Sequence, residues 1–174
     1  AKKKLKNIIE IPAIFLDRDG VLNKDTGYPH RFRKLKWIQS TIKFLKNFKN
    51  LRIRMFIVTN QSGIARGIYD EKDFFILQSK MKQYLGKKNI FFDEVKYCPH
   101  HPKHGLKKYV KNCKCRKPGN KMILDLIKYW KINPKKSIMI GDKVSDFYAA
   151  KKSNIKFYYY NKKNLKLIKK IYEK

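Results

Sequence analysis

The stretch "AIFLDRDGVLN", Ala13 to Asn23, decides how this chain is read. Its apolar start runs straight into Asp17 and Asp19, one residue apart, and Gly20 follows at once. A strand that is apolar without alternation is buried on both faces, as in a parallel sheet covered by helices. Further strand-like runs stand at 53–60 ("IRMFIVTN"), 93–98 ("DEVKYC"), 137–142 ("SIMIGD") and 155–160 ("IKFYYY"), with helical patterns near 39–49, 71–85, 119–131, 145–152 and 163–172. Strand and helix in alternation predict an α/β fold, a parallel sheet with helices on both faces entered by right-handed crossovers. There is no internal repeat, low-complexity tract or Pro/Gly/Ser-rich linker; only 98–118 breaks the alternation.

In open parallel sheets ligands sit beyond the carboxyl ends of the strands. The first strand ends in Asp17-x-Asp19, the second in Thr59-Asn60-Gln61-Ser62 and the fourth in Gly141-Asp142-Lys143, so polar and reactive residues gather at three strand ends. Two carboxylates at close range repel, which raises one pKa unless a cation or hydrogen bonds intervene. Such a pair suits a division between an attacking carboxylate and a general acid, or coordination of Mg²⁺, or both together. Asp146, one helical turn beyond Asp142, either supports a metal site or caps a helix.

The segments "FLDRDGVLN", "VTNQSG", "CRKP" and "MIGDKVSD", in that order over about residues 11–160, resemble the four motifs of the haloacid dehalogenase superfamily of phosphotransferases. The resemblance implies a Rossmann-like three-layer fold, here in a chain too short for a large cap domain. It implies that Asp17 is the nucleophile that takes the phosphoryl group and that Asp19 protonates the leaving alcohol. Thr59 would hydrogen-bond the phosphoryl group and Lys117 neutralise its charge. Asp17, the Asp19 main-chain carbonyl and Asp142 would hold Mg²⁺. Phosphoryl transfer needs mainly positioning and charge stabilisation, which makes this residue set chemically coherent.

All three cysteines, Cys98, Cys113 and Cys115, fall in the irregular region with His100, His101 and His104. An odd cysteine count argues against a disulfide framework, and three thiolates with one imidazole would make a closed tetrahedral Zn²⁺ site. "CPHH…CKCRKP" resembles the zinc loop of the histidinol-phosphatase-related branch of the superfamily; on that match Cys98, His100, Cys113 and Cys115 are the ligands of a structural zinc. His101 competes for the imidazole place, and His104 is expected in solvent. The zinc would pin a loop, about 98–118, whose next residues Arg116 and Lys117 reach phosphate.

The segment "NKDTGYPHRFRKLKW" resembles the sugar-bisphosphate phosphatases of that branch, since the Glu-Pro-rich stretch of its histidinol phosphatases is absent. The resemblance implies a small sugar bisphosphate as substrate, with Asp25, Thr26, Gly27 and Tyr28 lining the sugar and Asn60, Gln61, Ser62, Arg116 and Lys143 near its phosphates or hydroxyls. A histidinol-phosphate phosphatase, a DNA 3′-phosphatase and a basic nucleic-acid-binding zinc module are the alternatives.

The chain has 174 residues, 43% of them hydrophobic, enough for one domain over 1–174. Its Lys and Arg number 44 against 13 Asp and Glu, a formal charge of +31. The lysines are spread along the whole chain beside abundant Ile, Asn, Phe and Tyr, the mark of a genome rich in A and T, so no specific nucleic-acid partner is expected. The basic N-terminal stretch "AKKKLKNIIEIP" leads into no long apolar segment, which predicts no signal peptide or membrane span and a cytosolic location. A monomer is expected, and 161–174 reads as a final packed helix.

Overall fold

The computed structural model describes residues 10–173; the basic segment 1–9 and Lys174 lie outside the described residues. Five strands, β1 (Ala13–Leu16), β2 (Arg54–Asn60), β3 (Glu94–Cys98), β4 (Ile138–Gly141) and β5 (Lys156–Tyr159), form one sheet in the order β3-β2-β1-β4-β5. Every pairing is parallel. The helices α1 (Gln39–Leu45), α2 (Glu71–Gly86), α3 (Lys121–Trp130), α4 (Val144–Lys152) and α5 (Lys162–Tyr172) supply the crossovers and the C-terminal element.

The period-2 geometry of a strand explains the continuous apolar run of β1, whose four residues are all fully buried. Ile14 and Leu16 face one layer, with Ile42 and Leu45 of α1, Leu77 and Met81 of α2, and Leu165 and Ile168 of α5. Ala13 and Phe15 face the other, with Met122 and Leu126 of α3 and Ala149 and Ala150 of α4. The result is the three-layer arrangement expected from the alternation, and no cap domain interrupts it among the described residues.

Two helix boundaries differ from the periodicity. The pattern over 39–49 ends as a helix at Leu45 and continues as a 3₁₀ turn over Lys46–Phe48. The Asn47 side chain donates to the Lys43 and Phe44 carbonyls, taking acceptors that a continuing helix would use. Helix α3 begins at Lys121, not at 119, because Pro118 and Gly119 belong to the preceding loop, where the Gly119 N–H donates to the Arg116 carbonyl. Among the described residues no helix is long and apolar enough to cross a membrane.

Strand order reverses between β1 and β4, since the chain moves outward to β3 and then returns to the other side of β1. The crevice beyond the carboxyl ends of these two strands is the switch point, the favoured place for a ligand in this architecture.

Candidate active site

Asp17 leaves β1 at that switch point with 5% of its surface exposed. Its Oδ1 accepts the Arg18 main-chain N–H at 2.8 Å and lies 3.0 Å from Lys117 Nζ. Lys117, 3% exposed, also donates to the Val58 carbonyl at 2.7 Å and meets Asp146 Oδ1 at 2.6 Å. Burial lifts the Asp17 carboxyl to about 7; Lys117 opposes this, and the neighbouring Asp146 and Asp19 carboxylates add to it. Burial works against the Lys117 ammonium, yet the Asp17 and Asp146 carboxylates hold it above its ordinary range, so it is a permanent cation. Its backbone is fixed by Asn60, whose side-chain amide donates to the Lys117 carbonyl and accepts the Lys117 N–H, both at 3.0 Å.

Asp146 resolves the choice the sequence left open by capping and pairing at once. Its Oδ2 accepts the main-chain N–H groups of Asp142 (3.2 Å) and Lys143 (3.0 Å) at the start of α4, and its Oδ1 holds Lys117. A carboxylate at a helix N-terminus also gains from the helix dipole.

A divalent cation fits between these groups. Ligand oxygens of Asp17, Asp142 and Asp146 lie within 4.8 Å of one another, and Asp142 Oδ1 is buried with no hydrogen-bond donor. Burial raises the Asp142 pKa, with Lys143 opposing and Asp146 reinforcing, so an added cation would stabilise its charge. Gly20 makes this packing possible: at φ +93 a Cβ there would fall on the Asp142 carboxylate. Asp146 is already held by Lys117 and two N–H groups, Asp17 by Lys117 and the Arg18 N–H through Oδ1, and Asp142 Oδ1 has no donor.

Asp19 sits in a cage of donors. Its Oδ1 accepts from Arg18 Nε (2.8 Å) and Asn23 Nδ2 (2.9 Å), and its Oδ2 from Arg18 Nη2 (2.9 Å) and Gln61 Nε2 (3.0 Å). Arg18 is fully buried, its guanidinium 5.9 Å from the Phe74 ring centre. Thr59, 1% exposed, accepts the second proton of the Gln61 amide at 2.8 Å.

The cavity above these groups measures about 580 Å³. Asp25, Gly27, Tyr28, Asn60, Gln61, Ser62, Arg116 and Lys143 line it, whereas Thr26 lies outside the lining on the exposed loop. Lys143 Nζ meets Asp25 at 3.1 Å; burial disfavours its charge, but Asp25 more than offsets that. Arg66, Tyr69 and Ser145 also line the cavity and were not singled out by the sequence. Arg66 lies 5.7 Å from the Tyr28 ring centre and 3.3 Å from His101 Nε2. The signal for Arg66 was weak because it is one of many basic residues spread along the chain.

Cys98, His100, Cys113 and Cys115 converge as a second donor set. The three sulfurs lie 2.9 to 3.4 Å apart, and His100 Nδ1 lies 3.2 to 3.5 Å from each of them. No disulfide forms. Three thiols and an imidazole Nδ1 around one point match tetrahedral Zn²⁺, which would favour the thiolate forms. Burial pushes the Cys98 thiol up, with the Cys115 and Cys113 thiols adding to it, so a bound cation would favour its charged form. His101 turns instead toward Arg66, and His104 is exposed. Arg116 Nη1 donates to the His100 carbonyl at 3.2 Å, which ties a cavity-lining arginine to the cluster.

Residues 108–160 match the haloacid dehalogenase-like hydrolase family. The D-glycero-beta-D-manno-heptose-1,7-bisphosphate 7-phosphatase of Haemophilus influenzae is 44% identical over 144 residues, 83% of this chain and 78% of the relative. The Escherichia coli K12 protein of the same name is 39% identical over 145 residues, 83% of this chain and 76% of the relative. Among solved structures, the D,D-heptose 1,7-bisphosphate phosphatase of B. bronchiseptica, complexed with magnesium and phosphate, gives a TM-score of 0.75 at 26% identity over 84% of this chain and 79% of its own. A had-like phosphatase of Mesorhizobium loti gives 0.79 at 29% identity over 84% of this chain and 70% of its own. With a buried carboxylate–lysine–carboxylate site at the switch point and relatives this similar over most of its length, the chain belongs to the haloacid dehalogenase-like phosphatases.

Proposed function

We propose that the protein removes the 7-phosphate of D-glycero-β-D-manno-heptose 1,7-bisphosphate, a step toward nucleotide-activated heptose for lipopolysaccharide. It would act as a single-domain monomer in the cytoplasm. The observation that carries this reading is the distribution of cations in the cavity: Lys117 is buried beside Asp17, whereas Arg66 and Lys143 are exposed at its rim with Arg116 half-buried between. Cations at two depths suit a substrate with a phosphate at each end. The curated relatives carry the same activity in their names.

In this mechanism Asp17 attacks phosphorus through a carboxylate oxygen while the bond from phosphorus to the sugar oxygen breaks. The electron pair stays on that oxygen, which takes a proton from Asp19, and the alcohol leaves. Asp19 then takes a proton from the water that attacks the aspartyl-phosphate, releasing inorganic phosphate and the Asp17 carboxylate. Lys117 would balance phosphoryl charge throughout, and the Thr59 hydroxyl would hydrogen-bond a phosphoryl oxygen. Asp17, Asp142 and the Asp19 main-chain carbonyl would hold Mg²⁺, which when bound neutralises phosphoryl charge and keeps Asp17 ionised. Cys98, His100, Cys113 and Cys115 would hold a structural Zn²⁺ that fixes the loop bearing Arg116 and Lys117.

The test is phosphate release with Mg²⁺ from both heptose 1,7-bisphosphate anomers, histidinol phosphate and a 3′-phosphorylated oligonucleotide, beside Asp17→Asn. Fast release from the β anomer that the variant abolishes is expected. Faster release from histidinol phosphate or the oligonucleotide would overturn the substrate assignment.

A further inference from the structure

Gln61 lines the cavity, yet only 2% of its surface is exposed and every hydrogen-bonding position of its amide is used inside the protein. Its Oε1 accepts from Arg18 Nη2 at 3.0 Å and from the Tyr69 hydroxyl. Its Nε2 donates to Asp19 Oδ2 at 3.0 Å and to Thr59 Oγ1 at 2.8 Å. A side-chain amide has two donors and two acceptor positions, so nothing remains for a sugar hydroxyl or a phosphate. The pattern also fixes which way the amide points: reversed, it would set an N–H group against the Arg18 donor and a carbonyl oxygen against the Asp19 carboxylate.

Tyr69 is the outer anchor of this arrangement. Its ring is buried and stacks on His30 at 5.0 Å and 10°. It occupies space that only a glycine at position 63 leaves open, because a Cβ there would fall on the ring. Burial raises the phenol pKa, which keeps the hydroxyl a donor at working pH. Arg18 completes the frame: its Nε donates to Asp19 Oδ1, and the two N–H groups of Nη2 are shared among Asp19 Oδ2, the Pro29 carbonyl at 2.9 Å and Gln61 Oε1.

We infer that Gln61 and Tyr69 are positioning residues that, with Arg18, hold the Asp19 carboxyl group in place for proton transfer, one of its four donors yielding its position when Asp19 carries the proton, rather than contacts for the substrate. Arg18 holds both carboxylate oxygens of Asp19, and Gln61 holds Oδ2 a second time. Tyr69 acts at one remove, by holding the amide of Gln61 in the single orientation that donates to Asp19. Because polar networks of this kind are strongly coupled, loss of one outer member is felt at the centre.

The inference rests on the reading of Asp19 as general acid, and the experiment separates the two. kcat/KM reports the first phosphoryl transfer alone, so it is measured for a heptose phosphate, whose alkoxide needs a proton, and for p-nitrophenyl phosphate, whose phenolate does not. Asp19→Asn is the reference and should lower kcat/KM for the heptose phosphate by about 100-fold or more relative to the nitrophenyl ester, the scale of general acid catalysis. Tyr69→Phe and Gln61→Met should shift the same ratio in the same direction, by about 10-fold or more, with both proteins folded and melting as single transitions. If Asp19→Asn lowers both substrates alike, the general-acid reading falls and the inference with it. If Asp19→Asn behaves as expected but the Tyr69 and Gln61 variants leave the ratio unchanged, or lower both substrates equally, the positioning role is overturned. Tyr69→Phe alone keeps the test decisive should Gln61→Met fail to fold.

Discussion

Replacing Lys117 by Met tests the electrostatic centre of the site, because the side-chain length is nearly kept while the only cation between two buried carboxylates disappears. The ammonium lies 3.0 Å from Asp17 and 2.6 Å from Asp146, and Lys117 is 3% exposed. Removing one partner of a buried ion pair costs about 3 to 5 kcal/mol, because the remaining charge is left uncompensated. Asp146 keeps two main-chain N–H donors, so the cost concentrates on Asp17, which keeps the Arg18 N–H and loses its cation.

The sign with pH follows. Without Lys117 the folded-state pKa of Asp17 rises further above its unfolded value of about 3.9, so the folded variant binds more protons than the unfolded chain between the two values. The destabilisation is therefore full above the folded pKa and shrinks as pH falls toward the unfolded one. Urea unfolding followed by fluorescence of Trp37 and Trp130, in Mg²⁺-free buffer at pH 9 and pH 5, reads this directly. With a slope of about 2 kcal/mol/M, the midpoint should fall by about 1.5 to 2.5 M at pH 9, where Asp17 is ionised, and by less at pH 5. Adding Asp17→Asn to the variant should restore part of the loss. A Lys117→Met protein as stable as wild type at both pH values would refute the buried-pair reasoning.

A strong zinc chelator, or Cys98→Ser, should lower the melting temperature by more than about 5 °C, since about 1 kcal/mol moves it 2–4 °C at this size; protein purified without zinc and unmoved by the chelator would contradict the metal assignment. Glu71 accepts hydroxyls from Tyr97 at 2.6 Å and Tyr109 at 2.9 Å, and the Tyr97 bond is the main cause that holds its carboxyl below the ordinary range, with burial opposing and Tyr109 assisting. That contribution is present above the unfolded value and lost as pH falls through the lower folded one, so Glu71→Gln should cost about 1 to 3 kcal/mol at pH 7 and converge with wild type in acid; equal stability at pH 7 would count against it. Gly20→Ala should destabilise by at least about 2 kcal/mol, from left-handed strain and the clash with Asp142, and weaken Mg²⁺ binding in titration calorimetry; wild-type values for both would remove Gly20 from the packing argument.

The parts of the fold legible in the sequence are those set by burial. The unbroken apolar run of β1 demands cover on both faces, and the polar ends of β1, β2 and β4 point to one crevice, so Asp17, Thr59 and Asp142 were findable from strand ends alone. What lay beyond reach was the direction of side chains. Gln61 reads as a polar residue after a strand, equally able to face a ligand or the interior; only the buried positions of Arg18 and Tyr69 show that it faces inward. Asp146 reads as cap or ligand because one spacing serves both, and the Lys117 contact that distinguishes its role comes from a loop 29 residues upstream. Thr26 sits beside cavity residues in sequence, but the left-handed backbone at Gly27 and Tyr28 turns the loop so that it is left outside.

The central claim is that Asp17 carries the phosphoryl group. The most direct measurement is the mass of the protein, and of its Asp17-containing peptide, after acid quench of Asp19→Asn mixed with heptose bisphosphate and Mg²⁺. The account predicts one added phosphoryl group located on Asp17 and absent from Asp17→Asn. Turnover without any such adduct, together with phosphate release that survives Asp17→Asn, would contradict it.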